Sequence, residues 1–234
     1  MFDKIKIIEC PRDAMQSIKT FIPTEIKLNY LQKLVNVGFD VIDIGSFVSN
    51  KAIPQLADTP KIIESIDLSN SNSKLLVIVA NKKGAINASK YDKISFIGYP
   101  FSISENFQIR NTNKSIEDSK KELEEIIKIA NQANKKVVVY LSMCFGNPYG
   151  DPWNIEIVNE WVSRLVDMNV KIISLSDTIG TSNTKSIKTI FSSVIKNYPK
   201  IEFGAHLHSD PNTCKEKIES ALEAGCMRFD GVIK

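Results

Sequence analysis

Short apolar runs alternate with longer stretches of helical periodicity along the whole chain, which predicts repeated βα units around a parallel sheet. Eight such apolar runs occur, and eight is the number of strands that closes a (β/α)8 TIM barrel. The predicted strands lie at 5–9, 40–45, 75–79, 94–98, 136–142, 171–176, 202–207 and 228–233. We therefore predict an α/β protein in which residues 1–234 form a single barrel domain.

Seven stretches with apolar residues at helical spacing lie between these strands, at 24–37, 54–66, 82–89, 115–133, 154–168, 183–197 and 211–224. Thr24 is expected to cap the first helix, and the capping box Ser115-Ile116-Glu117-Asp118 is expected to begin the fourth. The barrel is expected to lack the loop and helix after its eighth strand, and so to be incomplete at the C-terminus. The outer faces of the first and eighth strands should then be partly bare.

Composition and charge argue against several classes of protein. With 234 residues and 43% apolar content, the chain can bury a sizeable core. The net charge is only +3, and no basic cluster has interleaved aromatic residues, which argues against a nucleic-acid partner. No apolar run approaches the roughly 20 residues of a membrane helix. Four cysteines without CxxC spacing indicate a reduced, cytoplasmic protein, in which Cys10 and Cys144 are better read as buried, inert thiols than as active-site thiols.

Polar residues that can carry chemistry stand at the ends of several predicted strands. In a barrel of this kind, the active site forms at the C-terminal ends of the strands. The candidates are Arg12 and Asp13 after the first strand, Asp43 and Ser46 on the second, Asp177 after the sixth, and His206 and His208 on the seventh. The constellation is convergent, although each member alone is a weak signal.

The two histidines are the only ones in the chain, and they stand two residues apart. On a strand such positions face the same way, so with Asp13 they suit a divalent cation that keeps open positions for water or substrate. Simpler interpretations stay open. An HxH pair alone is more often structural, Asp43 can cap a helix or pair with a cation, and Asp177 can bond the backbone of its own turn.

Six motifs occur in the order found in hydroxymethylglutaryl-CoA lyases: PRDAMQ (11–16), SFVS (46–49), NKKG (81–84), GNPYG (146–150), SLSDTIG (174–180) and GAHLH (204–208). From Ile5 to Lys234 the chain resembles this family. It is similar, more distantly, to the wider metallolyase superfamily that includes isopropylmalate and homocitrate synthases. Those synthases usually carry RDGEQ after the first strand, whereas RDAMQ here is closer to the lyase form RDGLQ.

The resemblance implies a carbon–carbon lyase that splits 3-hydroxy-3-methylglutaryl-CoA into acetyl-CoA and acetoacetate, as in leucine degradation and ketone-body formation. By this resemblance, Asp13, His206 and His208 hold Mg²⁺ or Mn²⁺, and Arg12 stabilises the enolate oxygen. The implied catalytic set is Arg12, Asp13, Asp43 and Asp177, and the implied substrate-binding set is Arg12, Gln16, Ser46, Ser104 and Asn111. The implied partner is a small-molecule acyl-CoA, with no nucleic acid, no membrane and room for a homodimer.

Three departures from the family bear on activity. Asp43 stands where the lyases commonly have the longer Glu, and Ala14 replaces the usual Gly. The catalytic cysteine and the asparagine ligand that the family places after the eighth strand have no counterpart, so we expect weak or no turnover. Two alternatives stay open: a Claisen-type synthase that joins acetyl-CoA to a 2-oxo acid, and a non-catalytic barrel that binds metal or acyl-CoA.

Overall fold

The computed structural model describes residues 4–233, and within them eight parallel strands join in sequence order into a closed barrel. This confirms the predicted fold class. The strands are β1 (Lys6–Glu9), β2 (Val41–Ser46), β3 (Lys74–Ile78), β4 (Ile94–Ser102), β5 (Lys136–Ser142), β6 (Ile172–Asp177), β7 (Glu202–Leu207) and β8 (Arg228–Gly231). The predicted domain also included residues 1–3 and 234, which lie outside the described residues.

Nine α-helices occur within the described range: α1 (Pro11–Gln16), α2 (Thr24–Val37), α3 (Thr59–Ser65), α4 (Lys82–Ser89), α5 (Glu105–Thr112), α6 (Ile116–Gln132), α7 (Ile155–Asp167), α8 (Thr184–Asn197) and α9 (Cys214–Glu223). Helices α1 and α5 were not predicted. Helix α1 forms because Pro11 sits in its first turn, where a missing N–H is tolerated. Helix α5 forms because the Ser104 hydroxyl accepts the Phe107 N–H.

Two details of the predicted helices were wrong. Thr24 is the first residue of α2 and not its cap, because Pro23 occupies the cap position without a side-chain bond. The stretch 54–66 is a 3₁₀ turn at Pro54–Leu56 followed by α3, and Pro60 lies in the first turn of that helix, where it cannot continue a preceding one. The capping box at Ser115 is confirmed in half, since the Asp118 N–H donates to the Ser115 hydroxyl over 3.0 Å.

The chain forms two compact units, one built mainly from residues 6–99 and 125–137. In this unit all six residues of β2 are buried, because helices α2 and α3 cover the strand's outer face. Helix α3 approaches β2 so closely that a side chain at Gly45 would meet the Thr59 methyl group at 2.5 Å. Glycine is therefore required there, and the Thr59 hydroxyl uses this proximity to accept the Ser46 N–H over 3.1 Å.

The other unit is built mainly from residues 100–124 and 138–230. Its strand β6 is buried throughout and pairs with β7 in a register that sets Ser174 beside Gly204 and Ser176 beside His206. Helix α8 buries one apolar face, formed by Ile187, Ile190, Phe191 and Val194. This register fixes which side chains of β6 and β7 stand side by side at the strands' C-terminal ends.

Strand β1 is buried on one face only. Ile8 is fully buried, whereas Ile7 is 45% exposed. Val232 and Ile233, which follow β8, are also exposed. The exposure of Ile7 agrees with the expected partly bare first strand, whereas Val232 and Ile233 lie beyond β8, so the expectation for the eighth strand stays a prediction. Within residues 4–233, no helix has both the length and the apolar character needed to cross a membrane.

Candidate active site

The short helix α1 carries three polar side chains of the predicted site. Arg12 and Gln16 are four residues apart, and Asp13 lies three before Gln16, so the side chains meet on one helix surface. Gln16 Nε2 donates to Asp13 Oδ1 over 2.7 Å, and Arg12 Nη1 donates to the same oxygen over 2.9 Å. The helix, which the sequence did not predict, therefore holds these three groups together directly after β1.

Arg12 is the most constrained of the predicted site residues. It is 8% exposed, and it donates from Nε and Nη2 to Asp43 Oδ2 over 2.9 and 2.6 Å, while Nη1 also reaches Gln16 Oε1 over 3.0 Å. Burial lowers the pKa of the Arg12 guanidinium, but the negative charges of Asp43 and Asp13 outweigh burial and raise that pKa. Arg12 is therefore a permanent positive charge in a fixed orientation.

The two predicted site residues of β2 make different contacts. Asp43 is fully buried and pairs with Arg12, which matches the open alternative of a carboxylate beside a cation. Ser46 is also buried, and its hydroxyl donates to the Ile78 carbonyl over 3.1 Å and accepts the Val48 N–H over 3.3 Å. Ser46 lines a cavity of about 260 Å³ within its own unit. The Ser46 hydroxyl thus binds backbone groups, whereas Asp43 orients Arg12.

Asp177 is the last residue of β6, and both oxygens of its buried carboxylate accept hydrogen bonds. Its Oδ1 accepts the Thr181 N–H over 2.9 Å, and its Oδ2 accepts the Ser182 N–H over 3.1 Å and Lys217 Nζ over 3.0 Å. These are the bonds of a turn and of a buried ion pair, as the structural alternative for Asp177 expected. Lys217 also donates to the His208 carbonyl over 3.0 Å, so Asp177 and Lys217 together tie the loops after β6 and β7.

The two histidines lie side by side at the end of β7, with ring centroids 5.4 Å apart. His206 is partly buried, its Nδ1 lies 3.1 Å from Asp230 Oδ2, and its ring stands edge-on to Tyr140 at 5.5 Å. His208 is exposed. The orientation of the His206 ring is therefore restricted on two sides.

Two groups of side chains in the described part of the chain could hold a metal ion, and both include His206. One is the predicted group Asp13, His206 and His208, and the other is Cys10, His206 and Asp230. A carboxylate with two imidazoles suits a hard or borderline divalent cation, whereas a thiolate favours softer metals. The donor set of the first group thus fits Mn²⁺ or Mg²⁺ better than that of the second.

Two of the predicted substrate-binding residues, Ser104 and Asn111, lie at the two ends of helix α5. Ser104 is buried at its start, where the hydroxyl accepts the Phe107 N–H over 3.1 Å and donates to Asp151. Asp151 also accepts from the Asn106 N–H over 3.1 Å, and these bonds, led by that of Ser104, lower the pKa of Asp151. Ser104 thus joins α5 to the loop after β5, whereas Asn111 is exposed in the last turn of the helix.

The family model for HMGL-like proteins matches residues 4–234. The chain is 31% identical to the hydroxymethylglutaryl-CoA lyase YngG of Bacillus subtilis over 221 residues, which are 94% of this chain and 73% of that protein. The chain belongs to the HMGL-like family. It is also 33% identical to human cytoplasmic 3-hydroxy-3-methylglutaryl-CoA lyase over 232 residues, and the match covers 98% of this chain but 62% of the human protein.

Solved structures of HMG-CoA lyases share the fold. The Bacillus subtilis HMG-CoA lyase superposes with a TM-score of 0.92 at 31% identity, covering 98% of this chain and 76% of that chain. The HMG-CoA lyase of Acinetobacter baumannii, in complex with coenzyme A and 3-methylmalate, superposes with a TM-score of 0.90 at 26% identity, covering all of this chain and 76% of the other. This HMGL-like chain thus spans somewhat less than two thirds of the human relative, and about three quarters of these two structures.

The cysteines of this HMGL-like chain differ in accessibility. No disulfide joins the four, and Cys10, Cys144 and Cys226 are buried, whereas Cys214 at the start of α9 is partly exposed. Burial raises the pKa of the Cys144 thiol well above its usual range and that of Cys226 to about 12. Because the thiolate is the reactive form, we expect iodoacetamide to label Cys214 first at pH 8. Peptide mapping by mass spectrometry checks this, and equally fast labelling of Cys226 would contradict it.

Three residues with prominent contacts in this HMGL-like barrel were not singled out by the sequence: Asp151, Lys217 and Asp230. Asp230 stands on the predicted eighth strand, so the strand-end rule that selected Asp13 and Asp177 would also have found it. Asp151 directly follows the GNPYG motif, but a carboxylate in a loop is too common to be informative. Lys217 lies in a charged helical stretch where the sequence distinguishes no lysine from its neighbours.

Proposed function

We propose that this protein is a hydroxymethylglutaryl-CoA lyase that cleaves 3-hydroxy-3-methylglutaryl-CoA to acetyl-CoA and acetoacetate. One observation carries the proposal: Arg12 is buried and bonded to Asp43, Asp13 and Gln16 directly after the first strand. Cleavage of a carbon–carbon bond beside a thioester releases an enolate, whose oxygen needs a fixed positive charge in a site shielded from water. The Arg12 guanidinium is such a charge, and its Nη1 already reaches polar groups at the helix surface.

Asp13, His206 and His208 are the proposed ligands of Mg²⁺ or Mn²⁺. The donor set supports this, because one carboxylate and two imidazoles leave open positions for water and substrate oxygens. When bound, the cation polarises the substrate's hydroxyl and carbonyl oxygens and favours loss of the hydroxyl proton. The chain's own residues prepare for this: Gln16 and Arg12 hold the Asp13 carboxylate through hydrogen bonds to Oδ1.

The remaining predicted site residues receive proposed roles that follow their contacts. Asp43 acts through Arg12, whose side chain it holds with two hydrogen bonds to Oδ2. Asp177 acts through Lys217, which fixes the backbone of His208. We assign both a positioning role in the proposed reaction. Their carboxylates are buried at 0% and 1% exposure, which suits positioning better than direct proton transfer with substrate.

An acyl-CoA thioester is the proposed substrate class. Support comes from the Acinetobacter relative, whose structure contains coenzyme A and 3-methylmalate. Gln16 and Asn111 are exposed and can contact the substrate directly, whereas Ser46 and Ser104 are buried and would shape the pocket through the backbone they bind. We further propose that the described residues act as one catalytic domain. A homodimer that covers Ile7 and Ile233 is compatible with their exposure, and light scattering would detect it.

The cytoplasm is the proposed location. The absence of disulfides among the four cysteines agrees with a reducing compartment. Relatives with cytoplasmic names and relatives with mitochondrial names both occur, as in the human and bovine proteins. Localisation of the tagged native protein would decide between the two compartments.

A direct assay tests the proposed function. Purified protein with Mn²⁺ is expected to release acetoacetate from 3-hydroxy-3-methylglutaryl-CoA, at the weak rate that the sequence leads us to expect, and EDTA should abolish this activity until Mn²⁺ is restored. Asp13→Asn should abolish it as well, because the amide provides a neutral ligand in place of the carboxylate. Coupled measurement of acetoacetate with its NADH-dependent dehydrogenase reports the rate.

Asp167→Asn is the matched control, because it removes an exposed carboxylate at the end of α7. It should leave the rate unchanged. Release of acetoacetate by Asp13→Asn at the wild-type rate would contradict the proposed site. Condensation of acetyl-CoA with a 2-oxo acid, without cleavage of the branched thioester, would instead identify the synthase alternative.

A further inference from the structure

Asp230 of β8 stands beside the metal-ligand candidate His206 with no solvent exposure of its side chain. Strands β7 and β8 pair in a register that sets Ala205 beside Phe229, so the next residues, His206 and Asp230, also lie side by side. The Asp230 Oδ2 lies 3.1 Å from His206 Nδ1 and accepts the Ser174 hydroxyl over 3.0 Å. Three adjacent strands thus build one polar cluster behind the His206 ring.

A carboxylate can only accept hydrogen bonds, so its contact with Nδ1 selects the imidazole tautomer that carries a proton on this nitrogen. In that tautomer the lone pair is on Nε2, the ring nitrogen that can bind a cation. A carboxylate or carbonyl that accepts a hydrogen bond from the other nitrogen of a metal-binding imidazole orients the ring and raises its basicity. The edge-on contact with Tyr140 further restricts rotation of the His206 ring.

Arg228 supplies the compensating charge for Asp230 within the same cluster. The Arg228 side chain is 1% exposed and donates from Nη1 to Glu202 Oε1 over 3.1 Å. Burial lowers the Arg228 pKa, but the negative charge of Asp230, followed by Tyr140 and Glu202, outweighs it. Arg228 thus places a buried positive charge within electrostatic range of Asp230.

We propose that Asp230 is a positioning residue that fixes the tautomer and orientation of His206, so that Nε2 is presented to the divalent cation. The proposal rests on the proposed function, because it takes His206 as a metal ligand. It goes beyond that function by assigning a role to the end of β8, where none of the six family-like motifs lies. Asp230 acts through His206, and Ser174 holds the Asp230 carboxylate in place.

The chain has only two histidines, so long-range ¹H–¹⁵N spectra can resolve both imidazole rings and their tautomers. In EDTA-treated full-length protein, we expect His206 to carry its proton on Nδ1. Asp230→Ala should give a mixture of His206 tautomers, and Asp230→Asn should retain the Nδ1 proton because its amide oxygen still accepts. The His208 signals should stay unchanged in both variants.

Mn²⁺ binding, measured by electron paramagnetic resonance, provides a readout independent of activity. Asp230→Ala should raise the dissociation constant for Mn²⁺ about 100-fold, and Asp230→Asn should raise it about 10-fold. This is the range found for residues that hydrogen-bond to metal ligands. Asp167→Asn, an exposed carboxylate-to-amide control, should bind as the wild type does. A Mn²⁺ affinity that increases from Asp230→Ala to Asp230→Asn to the wild type would distinguish a positioning role from a purely structural effect.

Wild-type Mn²⁺ affinity in folded Asp230→Ala overturns the proposal. A His206 proton on Nε2 in the wild-type protein overturns it as well. If the wild-type protein binds Mn²⁺ no better than Asp13→Asn does, the metal site of the proposed function fails, and the role of Asp230 fails with it. Loss of the Asp230 effect alone, with tight wild-type binding, leaves the proposed function intact.

Discussion

Replacing Arg12 with lysine is expected to lower kcat for acetoacetate release by about 10²–10³-fold, the usual loss when a fixed electrostatic donor is removed from an active site. Lysine keeps a positive charge but has one nitrogen in place of three. It cannot donate twice to Asp43 Oδ2 while also reaching Asp13 and Gln16. The charge would then be poorly placed for an enolate, which forms only during the reaction, so KM should change less than kcat.

Steady-state kinetics with saturating Mn²⁺ measure this effect, and Arg164→Lys is the matched control. Arg164 is half-buried and pairs with Glu160 on the same helix, so its replacement should leave both constants unchanged. The Mn²⁺ affinity of Arg12→Lys should be measured in parallel, because loss of the ion would lower kcat for another reason. An unchanged kcat in folded, Mn²⁺-loaded Arg12→Lys would remove Arg12 from the proposed mechanism.

The barrel was predictable because its signal is long and repeated. Each βα unit has its own apolar run and helical stretch, and errors at single boundaries do not change the number of strands. The errors fall where one local contact decides the outcome. Thr24 failed as a cap because Pro23 occupies the cap position. Helix α5 was missed because the distant Asp151 binds Ser104 and Asn106 at its start, 45 or more positions along the chain.

The candidate site was predictable in its members but not in their contacts. The strand-end rule selected Arg12, Asp43 and Asp177 from the sequence alone. It could not tell that Asp43 binds Arg12, since these residues are 31 positions apart. Nor could it tell that Lys217, which resembles every other lysine of its helix, is buried against Asp177. Partner choice depends on tertiary packing, which hydrophobic periodicity does not encode.

The substitution of Gly by Ala at position 14 illustrates the same limit. The family form of the motif has glycine there, and glycine can adopt backbone angles that alanine avoids. Ala14 lies inside helix α1 and is not among the residues with a positive φ angle. Alanine has the highest helix propensity of all residues. The substitution therefore fits the backbone and leaves the hydrogen bond between Arg12 and Asp13 in place.

Lys217→Met is expected to lower the free energy of unfolding by about 3–5 kcal/mol, the typical cost of leaving one partner of a buried ion pair uncompensated. The side chains of Lys217 and Asp177 are 5% and 1% exposed, and Lys217 also donates to the carbonyls of Gly180 and His208. Methionine removes all three bonds and leaves the Asp177 carboxylate buried. For a domain of this size, the melting temperature should fall by about 10 °C.

Lys215→Met is the matched control, because Lys215 lies on the same helix but its side chain is 85% exposed. Its ion pair with Glu219 is long, with 3.8 Å between Nζ and Oε1. Its replacement should change stability by less than about 0.5 kcal/mol. Urea unfolding followed by circular dichroism measures both variants. Adding Asp177→Asn to Lys217→Met should recover part of the loss, since the uncompensated charge disappears. Equal stability of the two lysine variants would show that the Asp177–Lys217 pair does not hold the loops after β6 and β7.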